Sequence, residues 1–277
     1  MIIRQLTDGD VFAAKALWQA VFADTDAFAN FWFSRRFTPH LSFGAFDDDA
    51  LVSMALGRPY PIHKPSLKAV YCAGVSTLPA YRHQGLMTET MTRLIDNARR
   101  RNYDCVLLSP AIPDLYKPFG FAPLTYAVEV TEPAGDDSAT VETVVPALLL
   151  PAYEMFASHH LFCPRRTVRE LQRVIEECLA DGGHILLAEE GFGWLCYLPH
   201  PDGIEITACV ADAPATYRLL LGAAGMHAQC ETVTALLPVD CGLPGTLVRP
   251  VHALGLKPSV PIDRFAKSRR CFCPDTY

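Results

Sequence analysis

Two short patterns carry residues whose types and spacing could do chemistry. The first is Arg82-His83-Gln84-Gly85, placed after the apolar run Val70–Val75 and Pro79 and directly before a helix-like stretch from Leu86 to Arg101. A strand that breaks and feeds backbone N–H groups into a helix N-terminus is an anion site. Those donors have no intrahelical partners, and the helix dipole is positive at that end. Gly85 lets a phosphate come close to the chain because no Cβ stands in the way. Neither G-x-x-x-x-G-K-[ST] nor a G-x-G-x-x-G after a strand is present, so the two common phosphate loops are excluded. The second pattern is Leu115-Tyr116-Lys117-Pro118-Phe119-Gly120-Phe121, about 30 residues further on, the spacing of a strand–helix–strand unit. Its Tyr116 offers a phenol with an ordinary pKa near ~10, a usable proton donor.

The elements that must position these residues can be read from periodicity and punctuation. Ile2–Leu6 reads as a strand, Thr7 or Asp8 as a cap, and Ala14, Leu17, Trp18, Val21 and Phe22 recur at helical spacing. A short helix is expected over Phe28–Phe33. Strands are expected over Leu41–Phe46 and Leu51–Leu56, with a turn at Asp47–Asp49 and a proline-rich loop over Pro59–Pro65. Lys68–Val75 is the central strand, Thr88–Arg101 a helix, Tyr103–Ser109 and Thr125–Val130 further strands, and Glu132–Ser138 a polar linker. Helices follow over Ala147–His160, Thr167–Ala180 and Pro214–Gly222. Between and after them come strands over His184–Glu189, Phe192–Leu198, Ile204–Val210 and Thr232–Leu237. The second half therefore repeats the element order of the first. Ala73-x-Val75-x-x-x-Pro79-Ala80-Tyr81-Arg82 is echoed, with one insertion, by Ala208-x-Val210-x-x-x-Pro214-Ala215-Thr216-Tyr217-Arg218.

Composition narrows the classes of function. A chain of 277 residues, half of them apolar, suits two domains, each with its own core. The net charge of −6 and the lack of a basic stripe argue against nucleic-acid binding. No stretch approaches the ~20 apolar residues of a membrane helix, so no membrane partner is expected. The start Met-Ile-Ile-Arg-Gln-Leu has no apolar signal region, and the chain reads as cytoplasmic with its ten cysteines reduced. The cysteines are scattered without a C-x-x-C pair, so no metal site is expected; Cys271-Phe-Cys273 lacks a partner pair.

The segment Val70–Met87 resembles the strand–Pro–x–x–Arg–x–x–Gly–helix motif of the GNAT acetyltransferase superfamily, which holds the pyrophosphate of acetyl-coenzyme A. Leu115–Phe121 resembles the second half of the same catalytic fold. Both are closest to the enhanced-intracellular-survival branch. Met87 stands where many superfamily members have Gly or Ala, although a large residue there is common in that branch. The resemblance implies an α/β (α+β) fold with a mixed central sheet flanked by helices, followed by a second, degenerate acetyltransferase-like domain. It puts the catalytic domain at 1–132 and the degenerate one at 140–277. In the latter, leucines follow Arg218 and Gly222 sits one place too late for the motif. The branch often carries a third, sterol-carrier-like domain, for which this chain has no room.

Site roles follow from the same resemblance. Val75, Ser76 and Thr77 would offer main-chain groups to the pantetheine arm of acetyl-CoA, a co-substrate. Arg82, His83, Gln84, Gly85, Leu86, Met87 and Thr88 would surround the pyrophosphate, and Ala111 and Ile112 would line the other side of the splayed sheet. Tyr116 would protonate the departing thiolate. Pro113, Lys117 and Pro118 depart from the small or polar residues common there, so a short helix is expected. The terminal carboxylate of Tyr277 is a candidate base, while His40, His63, Asp26 and Glu129 have no motif behind them. The expected activity is acetyl transfer to an amine on a small molecule, a peptide or a lysine. A homo-oligomer stays open, and the competing reading is a non-catalytic coenzyme-binding or scaffolding protein.

Overall fold

The computed structural model describes all residues except 23, 136–139, 142–143, 189–192, 258, 266, 269 and 273–277. In chain order the first elements are β1 (Ile2–Gln5), α1 (Val11–Val21), α2 (Asp26–Arg35), β2 (Phe43–Asp47), β3 (Ala50–Ile62), β4 (Leu67–Thr77), α3 (Leu86–Arg100), β5 (Cys105–Leu108) and β6 (Ala122–Pro123). Then come β7 (Ala127–Pro133), β8 (Thr140–Val141), α4 (Pro146–His159), α5 (Val168–Ala180), β9 (His184–Ala188), β10 (Trp194–His200) and β11 (Gly203–Val210). The last are α6 (Pro214–Ala228), β12 (Thr232–Leu237), β13 (Thr246–Val248), β14 (His252–Gly255) and α7 (Ile262–Phe265).

The chain divides into two compact units. One comprises Met1–Pro61, Leu67–Ala122 and His252–Ile262; the other comprises Ile62–Ser66, Pro123–Val251 and Asp263–Tyr277. The division expected from sequence, 1–132 and 140–277, is contiguous, and the compact units are not.

The first unit is built on a mixed sheet of order β1-β2-β3-β4-β5-β14-β6. β4 and β5 run parallel and are joined through α3, while β14, from far along the chain, lies antiparallel on the other edge of β5. The four residues of β14 carry no alternation or turn signal strong enough to announce a strand in sequence. One face of the sheet is covered by α1 and α2 through an aromatic cluster of Trp18, Phe28, Trp32 and Phe33. α2 is capped by Thr25, whose hydroxyl accepts the Phe28 N–H at 3.1 Å. The other face is covered by α3, which buries Leu86, Met91, Leu94, Ile95 and Ala98 at helical spacing.

β3 overturns the loop expected over Pro59–Pro65, since it runs through Pro59 and Pro61 to Ile62. Its ladder with β2 ends at Ala55. Beyond that point no strand is seen on that edge of β3 among the described residues, apart from an isolated bridge of Ile62 with Pro164, and prolines facing it forfeit no ladder hydrogen bond.

The second unit holds a sheet of order β11-β10-β9-β8 and a second of order β12-β7-β13. Its core has one cluster around Leu195, Tyr197, Leu220 and Leu237, and another around Tyr153, Phe156, Trp194 and Val210. The linker expected over Glu132–Ser138 begins inside β7 and lies partly outside the described residues. α6 does not stop at Gly222 but runs to Ala228, where Gln229 in the left-handed conformation caps it. Gly222 packs against Gly135: a Cβ built on it would come within 3.1 Å of the Gly135 Cα. That glycine serves a close backbone approach within the helix instead of a stop signal.

Candidate active site

The parallel ladder between β4 and β5 pairs Ala69, Val70 and Tyr71 with Cys105, Val106 and Leu107 and goes no further. β4 itself continues to Thr77. Among the described residues no strand pairs its β5-facing edge from Cys72 onward, so backbone donors and acceptors are free along that edge. Val75, Ser76 and Thr77 all lie on this stretch.

The strand is held there from the opposite side. The buried Ser53 hydroxyl donates to the Ser76 carbonyl at 3.0 Å and shares a 2.8 Å hydrogen bond with the Thr77 hydroxyl. The Leu78 N–H donates to the Val52 carbonyl at 2.9 Å. Within the strand, Gly74 has φ +55°, and a Cβ there would collide with the Trp18 ring and meet Leu56 at 3.2 Å. Gly74 thus bends β4 under the α1 tryptophan, a glycine-in-strand signal that the sequence reading did not use.

After β4 a single 3₁₀ turn over Pro79–Tyr81 leads into the loop 82–85. Tyr81 donates its hydroxyl to Asp47 at 2.9 Å, and the Arg82 Nε donates to the Thr77 carbonyl at 3.3 Å, leaving the rest of its guanidinium exposed. His83 and Gly85 both have positive φ, 63° and 78°. Gln84 turns back to the Ala80 carbonyl at 3.3 Å. Gly85 caps α3 without any side-chain bond, and the first intrahelical bond is Glu89 N–H to Gly85 carbonyl at 3.1 Å. The N–H groups of Leu86, Met87 and Thr88 therefore have no helical acceptor. A Cβ built on Gly85 meets nothing within 4 Å, so the mouth of this cradle is open. A row of donors without helical acceptors, a helix dipole and an exposed arginine suit a phosphate-bearing group.

Tyr116 lies on a 3₁₀ segment, Pro113–Phe119, where the sequence suggested a short helix. It packs against the cluster that contains Cys72, Met91 and Phe121, as do Val75 and Met87, which brings the tyrosine beside the free part of β4. Its ring stands edge-on to Phe121 with centroids 6.0 Å apart. Burial pushes the Tyr116 phenol up, with the Cys72 sulfur adding to the effect, so the hydroxyl keeps its proton at neutral pH. Burial also raises the Cys72 thiol to about 12, and its Sγ sits 3.6 Å from the Met91 sulfur. Cys72 carries no motif, and only its place directly after the end of the ladder could have marked it.

Ala111 and Ile112 follow β5 and are exposed, Ile112 by 59%. Tyr277 lies outside the described residues. His40, His63, Asp26 and Glu129 are not placed with Tyr116 by any contact among the described residues. Those residues contain no group of three or more His, Cys, Asp or Glu that could hold a metal ion, and no helix long and apolar enough to cross a membrane.

The comparisons with known proteins now bear on this geometry. Residues 2–124 match the family model described as an acetyltransferase (GNAT) domain. This stretch is similar to a GNAT acetyltransferase domain. An uncharacterized N-acetyltransferase of Streptomyces avermitilis is 28% identical over 125 residues, which span 41% of this chain and 31% of that protein. The alignment thus spans less than a third of that relative.

Solved structures match across both units at low identity, which speaks for the fold alone. A GCN5-related N-acetyltransferase from Anabaena variabilis has a TM-score of 0.68 at 12% identity, covering 92% of this chain and 73% of that one. Eis1 from Mycobacterium abscessus has a TM-score of 0.66 at 16% identity, covering 93% and 74%. A GCN5-related N-acetyltransferase from Kribbella flavida has a TM-score of 0.65 at 17% identity, covering 92% and 69%. The chain has the α+β GNAT fold with a mixed central sheet, and a second region with sheets of its own.

Proposed function

We propose that this chain transfers an acetyl group from acetyl-CoA to an amine, using the first compact unit. The observation that carries the reading is the free edge of β4 running into the open N-terminus of α3 at Gly85, which has no side-chain cap. On this reading the main-chain groups of Val75, Ser76 and Thr77 hold the pantetheine arm. The N–H groups from His83 to Thr88 hold the pyrophosphate, with Arg82 adding charge, and Ala111 and Ile112 flank the far side of the cleft.

Fixing the thioester along a rigid strand supplies orientation, which is a large part of such a rate enhancement. As the amine attacks the acetyl carbon, the C–S bond breaks and sulfur gains negative charge. On this reading the Tyr116 hydroxyl, kept protonated by burial, gives that sulfur a proton. The attacking nitrogen must also lose a proton. The terminal carboxylate of Tyr277 is one proposal for the base, and a water molecule is the other.

The second unit is proposed to bind no coenzyme. The counterpart of the loop 82–85 is missing there, because α6 begins directly at Pro214, with Arg218 already inside the helix. Its first residue, a proline, also has no N–H to give.

The test is release of free thiol from acetyl-CoA over a panel of small amines, peptides and lysine derivatives. Tyr116→Phe keeps the ring and removes only the hydroxyl. It should leave coenzyme binding intact and lower kcat by about 10²–10⁴. A kcat within about twofold of the parent, far short of that range, would leave Tyr116 as part of the aromatic packing. No turnover with any amine, despite coenzyme binding, would favour the non-catalytic reading.

A further inference from the structure

We propose that the acceptor in this acetyl transfer is a small amine that also carries a carboxylate, and that Arg58 binds that carboxylate. The inference rests on the reading of the first unit as an acetyltransferase and names its class of acceptor. Every residue it uses belongs to that unit.

Arg58 stands on β3, past the end of its ladder with β2. Its guanidinium carbon lies 5.1 Å from the centroid of the Tyr60 ring and 5.0 Å from that of the Tyr71 ring. The two rings are 5.3 Å apart and both are buried. Arg58 itself is half-buried. The rings attract the cation and confine its side chain. They offer no lone pairs to its five N–H donors. Among the described residues the Arg58 side chain makes no hydrogen bond and no ion pair.

A charge drawn part-way out of water is costly without a partner. Here the cation is held in place by packing while its donors stay unspent. That is the arrangement recognition of a carboxylate needs, because the planar guanidinium fork takes both carboxylate oxygens in parallel bonds.

The place of Arg58 in the sheet fits an acceptor. Val70 and Cys72 join the cluster on the α3 face, against which Tyr116 packs, so Tyr71 between them points to the opposite face. Leu56 lies on that opposite face with Trp18 and Trp32, and Arg58 and Tyr60 follow it at two-residue steps. Tyr71 is the last residue of β4 paired with β5, so Arg58 stands level with the point where the two strands part. With Tyr116 serving the sulfur from the α3 face, the amine comes to the acetyl carbon from the face of α1 and α2. β3 is one strand spacing, roughly 5 Å, from β4. A small amino acid, or a homologue with a longer spacer, reaches from Arg58 to the free edge of β4.

The experiment measures thiol release from acetyl-CoA by the full chain with matched acceptors: β-alanine, 4-aminobutanoate and L-phenylalanine, each beside its carboxamide, and O-phosphoethanolamine. In at least one pair the acid should have a kcat/KM about tenfold or more above the amide, the ratio expected for one charge-assisted hydrogen bond. Arg58→Gln should bring that ratio close to one, mainly through KM. Arg58→Lys keeps the charge but not the fork, and should leave an intermediate ratio. Circular dichroism checks that both variants are folded. Calorimetry with the N-acetylated acids and their amides, in the presence of coenzyme A, reads carboxylate binding without turnover. Equal values within every pair, or an acid preference that survives in both variants, overturns the inference and leaves the acetyltransferase reading standing. A preference for O-phosphoethanolamine over every acid overturns the carboxylate assignment. If no amine is acetylated, the acetyltransferase reading fails. Equal binding of the acetylated acids and amides then removes the role of Arg58 as well.

Discussion

At the scale of the residue, Gly85 separates conformational cost from steric cost. Its φ of 78° lies in the left-handed region, yet a Cβ would meet nothing within 4 Å. Gly85→Ala is therefore expected to destabilise by about 1–2 kcal/mol through the backbone alone, with coenzyme A affinity reduced only modestly. Gly85→Asp adds a negative charge at the row of donors and is expected to abolish measurable coenzyme binding while melting close to Gly85→Ala. Equal affinities for the two variants would show that no phosphate lies against this turn. The glycine, the arginine before it and Tyr116 were all legible in the sequence, because their spacing is set by local chain geometry. Cys72 was not, because its importance comes from packing beneath Tyr116, a contact between residues 44 positions apart.

At the scale of the element, the shape of β4 decides whether the site exists. Gly74 allows Trp18 to rest on the strand, so Gly74→Ala combines a disfavoured φ with a collision against a large buried ring. It should destabilise by more than Gly85→Ala, read as a lower denaturant midpoint. The start of α1 offers a pH-dependent test. Asp10 takes two 2.8 Å bonds from Arg4 and two 2.7 Å bonds from Thr7. The Arg4 bond is the main reason its carboxyl is held well below the usual carboxylate range. A depressed folded-state pKa contributes stability that is fully present above the unfolded value of about 3.9 and is lost as the pH falls below it. Asp10→Asn should therefore lower Tm near neutral pH and flatten the fall in Tm on acidification. A parallel, undiminished fall in both proteins would remove Asp10 from the acid response. Periodicity located most helices and strands to within a few residues. It failed where prolines sit on the unpaired edge of β3 and where Gly222 lies inside α6. In both cases a neighbouring backbone, invisible in the local sequence, sets the rule.

At the scale of the whole molecule, the first unit is completed by a strand drawn from residues 252–255. β14 pairs with all four residues of β5, and Leu254 and Leu256 pack on the cluster that also holds Tyr116. The segment 1–132 expressed alone would expose that edge. It is expected to aggregate or to melt well below the full chain, measured by light scattering and circular dichroism. A monomeric 1–132 with the thermal stability of the full chain would show β14 to be dispensable. The repeated element order made a second region legible, and the chain holds one with two sheets of its own. The non-contiguous units were not legible, because nothing in a four-residue strand says which sheet it will join. The central claim, that one free strand edge and one open helix terminus bind coenzyme A, is tested most directly by calorimetric titration of the full chain with coenzyme A. The account predicts saturable binding with one site per chain. No binding, or two equivalent sites, would contradict it.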